Sequence, residues 1–286
     1  MPSPDTAVLL VYCPDQPGLV HAMTHFIFEH RGNLLDLEQH IDHEDDVFFM
    51  RVEWSLEKFD IAKADIAAHL ARIAESRLMW WHLQFSSERK RLALFVSKES
   101  HCLYDLLSRH EAGELPAEVA LVVSNHETLR PAAERFGIPF HHFPVTKENR
   151  DAQEQKQLAL LAGHRVDTMV LARYMQIIGR PMIEAFPNRI LNIHHSFLPA
   201  FVGAKPYHQA YERGVKIIGA TSHYVTEDLD EGPIIHQDVM AVSHEDSVDD
   251  LVRLGRDLEK TVLSNALRWH LLNKVLVYRN KTVVFS

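Results

Sequence analysis

The rhythm of hydrophobic and polar positions changes twice along the 286 residues. Ala7–Tyr12 is a short apolar run rich in valine and leucine; it predicts a strand, which CPDQPG ends. From Leu19 to Arg31 the apolar residues Leu19, Val20, Met23, Phe26 and Ile27 recur at helical spacing. Gly32-Asn33 closes that helix, because both residues tolerate the left-handed conformation at a helix end. Loose alternation over Leu34–Ile41 and the run FFMRVEWSL at Phe48–Leu56 predict two more strands, joined by an acidic turn, DHEDD. Ile61–Arg77 predicts a second helix and Met79–Phe85 a closing strand. The order βαββαβ makes a small α+β sandwich of about 80 residues.

Ser86–Arg91 (SSERKR) is polar and charged and predicts a linker at 86–91. Beyond it the pattern becomes α/β. Leu92–Val96, Val119–Val123, Phe140–Phe143, Thr168–Ala172 and Arg189–Ile193 are short β-prone runs. Helical stretches at about Cys102–Arg109, Glu127–Phe136 and Glu148–Ala162 separate most of them. Such alternation predicts a doubly wound, mainly parallel sheet covered on both faces. Gly219–Val225 and Pro233–Val242 flank TEDLDEG and predict a hairpin or wide loop at the sheet edge. Ser247–Leu272 is a long amphipathic stretch, and VLVYRNKTVVF predicts a terminal strand pair around Arg279-Asn280. The expected organisation is therefore a domain over 1–85, the linker, and a second domain over 92–286.

Bulk properties narrow the function classes. A length of 286 residues fits about two domains. The net charge of −9, with no long basic run, disfavours a nucleic-acid partner. Cys13 and Cys102 are too few for a disulfide framework, which fits a reduced, cytoplasmic setting. The N-terminus lacks the basic region and longer apolar stretch of a signal peptide, and no uninterrupted apolar stretch approaches a membrane span, so no membrane partner is expected.

Chemistry concentrates where sheets of this kind place it, beyond the carboxyl ends of strands. The run Arg189–Ile193 leads directly into a histidine pair, in LNIHHSFLP. Strand side chains alternate, so Asn192 and His194 point the same way. An amide can donate to a carbonyl oxygen; an imidazole can donate, accept or carry a proton near neutral pH. The carboxylate that would set the imidazole's protonation has four candidates, Glu227, Asp228, Asp230 and Glu231, and spacing does not choose among them. The chain has 20 histidines, with His21 and His25 at helical spacing and His141-His142 beside a strand, yet no HExxH or Cys/His zinc spacing occurs. Scattered surface histidines, and no metal, are the reading.

The segments Leu191–Pro199, Phe201–Ala210 and Gly219–Gln237 together resemble folate-dependent formyltransferases, and the segment around CPDQPG resembles an ACT domain, a small ligand-sensing module. The combination covers nearly the whole chain and resembles the formyltetrahydrofolate deformylases, hydrolases that release formate from 10-formyltetrahydrofolate. The resemblance implies that Asn192, His194 and Asp230 form the catalytic trio, and it is what selects Asp230. Asn192 with His194 would stabilise the oxyanion formed when water attacks the formyl carbon. An ionised Asp230 would favour a cationic His194. The general base is Asp230 or a neutral His194. The stretch LARYMQIIGRPMIEAF resembles the family's pterin-binding segment, which implies that backbone groups of Met175, Gln176, Ile177 and Ile178 hold the pterin. No cofactor is required, since the folate is the substrate.

Transfer to an amine needs the same trio, so the acceptor decides. Transferases that formylate glycinamide ribonucleotide carry a glycine-rich phosphate-holding loop after their first strand. Here that position reads VSKESHCLYDLL, without glycine, although Ser97, Lys98 and Ser100 remain able to contact an anion. The initiator-tRNA transferase would need a C-terminal nucleic-acid-binding domain for which there is no room. Water is the expected acceptor; glycinamide ribonucleotide transfer, a non-enzymatic folate-binding regulator and a metal-dependent amide hydrolase are the alternatives. Asp15, Gln16, Gly18 and Asn33 sit in the two loops where ACT modules take an amino-acid ligand, and the resemblance implies glycine and methionine as opposing effectors. ACT modules pair edge to edge, so a homo-oligomer, a tetramer, is expected.

Overall fold

The structure is a computed structural model and describes residues 5–199 and 206–285. The chain divides into two compact units. One runs to Arg89 and also takes residues 273–276 and the stretch from Val283 on; the other comprises Lys90–Leu272 and Val277–Thr282.

In the first unit the elements are β1 (Thr6–Pro14), α1 (Leu19–Glu29), β2 (Asn33–Asp42), β3 (Val47–Ser55), α2 (Ile66–Glu75) and β4 (Trp80–Phe85), the predicted βαββαβ order. The strands form an antiparallel sheet in the order β2-β3-β1-β4. Alternate residues of β1 (Ala7, Leu9, Val11, Cys13) join Leu19, Met23, Phe26 and Ile27 of α1 and Ile66, Leu70 and Ala74 of α2 in one core. A period of two thus meets a period of 3.6. The second helix begins later than Ile61. Phe59 and Ile61 pack on the core from irregular backbone, pinned where Asp60 N donates to the His30 carbonyl, so core contacts imitate a helical period before the helix starts.

The second unit carries β5 (Lys90–Val96), α3 (His101–Glu111), β6 (Ala117–Ser124), α4 (Arg130–Arg135), β7 (Phe140–His142), α5 (Arg150–Gly163), β8 (Thr168–Leu171), α6 (Arg180–Ala185), β9 (Ile190–His194), α7 (Pro206–Arg213), β10 (Ile217–Tyr224), β11 (Ile234–Ala241) and α8 (Val248–Leu271). Two last strands, β12 (Val275–Tyr278) and β13 (Lys281–Val284), are divided between the two units. The seven-stranded sheet of the second unit has the order β11-β10-β9-β8-β5-β6-β7; β5 to β9 pair in parallel and β10 and β11 are antiparallel. The nearly unbroken apolar runs of β5 and β6 are buried throughout their centres, as strands covered on both faces require. Strand order reverses beside β5, so the carboxyl ends of β5, β8 and β9 open onto one crevice. Ser247 caps α8 by accepting from Asp250 N, and the Asp250 carboxylate accepts from Ser247 N in return.

Two expectations need correction. Lys90 and Arg91, assigned to the linker, already pair with Ala117 and Glu118 in β5. Lys90 donates to the His270 carbonyl and burial lowers its pKa to about 8, while Arg91 Nε donates to the His164 carbonyl. Satisfied charges hid the start of a strand. Residues 273–276 and the stretch from Val283 on, expected in the second domain, belong with the first unit. Helices α6 and α7 had no counterpart among the expected elements, since each is short and carries too few apolar residues for a clear period.

Candidate active site

β9 delivers Asn192 and His194 at the end of the parallel sheet. The parallel register sets Leu171 of β8 level with Asn192, and the antiparallel register sets His223 of β10 level with Asn192 from the other side. Nε2 of His223 lies 3.2 Å from Nδ2 of Asn192. His223 Nδ1–H donates to the Tyr224 carbonyl at 2.9 Å, which leaves Nε2 as the acceptor for the Asn192 amide. That hydrogen bond occupies one amide N–H and leaves the other for a carbonyl oxygen in the crevice. Sequence reading missed His223; the signal was a polar residue at an alternating position within the expected strand Gly219–Val225.

The loop after β10 brings in the carboxylate. Nδ1 of His194 lies 3.2 Å from Oδ2 of Asp230, and Nε2 of His223 lies 3.6 Å from its Oδ1. Of the four candidate acids, Asp230 alone is paired with these imidazoles. Glu227 instead reaches Arg180 at 3.4 Å. The loop is tightly built: Asp230 has φ 58°, and a Cβ at Gly232 would stand 1.8 Å from the Tyr224 carbonyl oxygen, so only glycine allows the chain to pass. Asn280, at the tip of the β12–β13 hairpin, donates to the Glu231 carbonyl at 2.9 Å.

The His194 imidazole, its Nδ1–H turned to the carboxylate, holds the Asp230 carboxyl well below the usual carboxylate range against the opposing effect of burial. Asp230 is therefore an anion at neutral pH and accepts from His194 Nδ1–H. His194 Nε2 is buried and has no hydrogen-bond partner among the described residues. Such an orphan is costly unless a ligand satisfies it.

Met175, Gln176, Ile177 and Ile178 line the same cleft as Asn192, His194 and Asp230, a cavity of about 320 Å³. The segment is fixed from behind. Met175 N donates to Ser97 Oγ at 2.9 Å, Arg150 Nη2 to the Ile177 carbonyl at 2.7 Å, and Gly179 N to buried Glu154 at 3.0 Å. Ile178 is buried, whereas Met175 and Ile177 are 60% and 56% exposed, an apolar surface suited to a flat ring. Ser97, expected to remain able to contact an anion, is 3% exposed and committed: its hydroxyl donates to Asn125 Oδ1 at 2.7 Å while accepting from Met175 N.

Arg173 and His195 also line the cleft. Glu259 of α8, 1% exposed, accepts from Tyr207 OH and His101 Nε2, both at 2.7 Å, and pairs with Arg173 Nε at 3.4 Å. Burial opposes its ionisation, but these partners bring its pKa below the ordinary value. Burial and the Arg173 charge lower the His195 pKa to about 4, so that imidazole is neutral. Among the described residues, His101, Cys102 and Glu259 form a group whose ligand atoms lie within 4.8 Å of one another. The carboxylate there is already saturated, and the neighbouring guanidinium repels a cation, so the group does not suit a metal.

The expected effector residues are not gathered in one place. Asp15 N donates to the Asp46 carbonyl and Gln16 Nε2 to the Arg77 carbonyl, and Gly18, at φ 88°, starts α1. All three follow the end of β1. Asn33 is level with Ser55 and, through it, with Thr6 at the beginning of β1. The length of β1, roughly 25 Å, separates the two loops, because α1 runs back along the sheet before β2 begins. One small ligand cannot touch all four within one subunit.

No helix among the described residues is long and apolar enough to cross a membrane. Residues 90–267 match the family model described as formyl transferase, and residues 7–57 match that of the ACT domain. A protein of Synechocystis sp. named formyltetrahydrofolate deformylase is 53% identical over 98% of this chain and 99% of its own length. One of the same name from Bacillus subtilis is 52% identical over 99% of this chain and 94% of its own. The crystal structure of a formyltetrahydrofolate deformylase from Pseudomonas syringae pv. tomato is 45% identical and superposes with a TM-score of 0.97, covering 100% of this chain and 96% of that one.

Proposed function

This chain belongs to the formyltetrahydrofolate deformylase family, and we propose that it hydrolyses 10-formyltetrahydrofolate to tetrahydrofolate and formate, with Asn192, His194 and Asp230 as its catalytic residues. The observation that carries the reading is the union, in one cleft, of the Asp230–His194 pair with the exposed apolar side chains of Met175 and Ile177. The pterin packs on these side chains and the formyl group extends toward β9.

The free N–H of Asn192 donates to the formyl oxygen and stabilises the oxyanion as it forms; removal of such a donor costs roughly 100-fold or more in rate. Asp230, held far below its ordinary pKa, is a weak base, and its oxygens already face two imidazoles. His194 is therefore the better base: its unpartnered Nε2 takes a proton from the attacking water. The resulting imidazolium, paired with Asp230, returns that proton to the departing nitrogen.

Hydrolysis is favoured over transfer to glycinamide ribonucleotide because Ser97 is committed within the protein and the Ser97–Ser100 turn has no glycine for a close phosphate contact. Formate release from the purified protein without any amine acceptor is the test. Formyl transfer that occurs only on adding glycinamide ribonucleotide would give the transferase reading instead.

The ACT unit supplies regulation by a small amino acid, glycine and methionine being the pair to assay for opposite effects on acceptor-free turnover. Edge strand β2 exposes Leu34 and Leu35, 42% and 49% accessible, which supports edge-to-edge pairing of ACT sheets in a tetramer. Light scattering of the purified protein measures that state.

A further inference from the structure

The Arg173–Glu259 pair has no part in the chemistry above, yet it lies against it. β8 and β9 are parallel with Leu171 level with Asn192, so the two chains emerge together: Arg173 follows Leu171 by two residues and His194 follows Asn192 by two. His195 lines the same cleft, its ring centroid 5.2 Å from that of His194 and its protonation suppressed by burial and by the Arg173 charge.

Arg173 is held with care for a residue with no other task. Its backbone takes φ 65°, unusual for a residue with a side chain. Its Nε pairs with a carboxylate that is itself buried and fixed by Tyr207 and His101. Gly255 makes room for this arrangement, since a Cβ there would stand 2.1 Å from the Tyr207 hydroxyl oxygen. Beyond Glu259, Arg173 has no other ion pair and no hydrogen bond among the described residues, and its side chain is 14% exposed, at the wall of the cleft. The ion pair at Nε engages one edge of the guanidinium and leaves its terminal amino groups, a planar fork of the kind that receives a carboxylate.

We propose that Arg173, held from behind by Glu259, is the subsite that receives the carboxylate of the formate liberated in the cleft. This rests on the hydrolytic reading of the same cleft. In that reaction a bond forms between the water oxygen and the formyl carbon, and the carbon–nitrogen bond breaks. One water proton passes to the departing nitrogen, and the second leaves the nascent formic acid, so the products are tetrahydrofolate, formate and a proton. Transfer to an amine would leave a neutral formamide. An anion is created in the cleft only when water is the acceptor, and Arg173 is a cation placed to meet it. Neutral His195 adds a hydrogen-bonding group without a competing charge.

The test is formate binding to the full-length protein by calorimetry, with product inhibition by formate in the turnover assay. Saturable formate binding is expected for the wild type. Arg173→Gln is expected to weaken it by about tenfold or more, and Arg173→Lys, which keeps the charge and loses the planar fork, by a smaller factor. Should Arg173→Gln fail to fold around an underpaired Glu259, the double variant Arg173→Gln/Glu259→Gln removes both charges and reads the same loss. Unchanged formate affinity in these folded variants, or no saturable binding to a wild-type preparation that turns over the folate, overturns the proposal. Formate binding that depends on Arg173, in a protein that releases no formate without an acceptor, would uphold the anion subsite while refuting the hydrolytic reading.

Discussion

The Nδ1 of His194 lies 3.2 Å from Oδ2 of Asp230, although one residue ends a central strand and the other sits in a loop beyond the next strand of the sheet. The contact orients the imidazole so that its Nε2, buried and unpartnered among the described residues, faces the cleft. Replacing Asp230 by Asn keeps the shape and removes the charge that favours an imidazolium. Turnover is expected to fall by roughly 100-fold or more in Asp230→Asn and in Asn192→Ala. Folate binding, measured by calorimetry, should persist in both, and near-full activity in either variant would remove that residue from the mechanism.

His223 acts through its neighbours. It accepts from Asn192 and stands beside Asp230, so His223→Ala frees the amide to rotate and leaves one carboxylate oxygen without its imidazole neighbour. The expected result is a drop in kcat of about 10- to 100-fold with KM for the folate little changed. A rise in KM with kcat preserved would place His223 in substrate binding instead.

The Asp230 loop depends on its backbone. Gly232→Ala would drive a Cβ into the Tyr224 carbonyl, and both groups are backbone-anchored, so the expected destabilisation is about 1–3 kcal/mol with loss of activity. Asn280→Ala removes only the bond to the Glu231 carbonyl. It should cost about 1 kcal/mol and slow turnover several-fold. Denaturant unfolding and steady-state kinetics check both, and wild-type behaviour of Gly232→Ala would show that the loop does not need this close approach.

His195 gives the protein an acid-sensitive term. Its pKa is lowered to about 4 in the fold, against an ordinary value near 6.5. As pH falls between those values the unfolded chain takes up a proton that the folded chain refuses, so stability declines, by roughly 3 kcal/mol at most. His195→Asn should flatten this part of the stability profile. Equal slopes for the two proteins in urea denaturation across that range would contradict the assignment.

Much of this was legible from residue order alone. The apolar runs of β5 and β6 and the helical spacing of Leu19, Met23, Phe26 and Ile27 report burial directly, because side-chain periodicity is fixed by local backbone geometry. Ile61 misled for the complementary reason: it packs on the core without being helical. Lys90 and Arg91 misled because their charges are met by distant carbonyls. The separation of Asn33 from Asp15, Gln16 and Gly18 follows from the run of α1, which residue identity does not reveal.

The sequence by itself determined the two-part α/β organisation, the facing of Asn192 and His194, and the family whose motifs the chain carries. Periodicity and short motifs are local properties, and they survive in a string of letters. Only the tertiary structure decided that His223 stands behind Asn192 and that Glu259 pairs with Arg173 at the wall of the cleft, and it brought to His194 the acid that the family resemblance had selected. Those pairings join residues far apart in the chain, and they exist because sheet register and loop closure bring separate strand ends to one place.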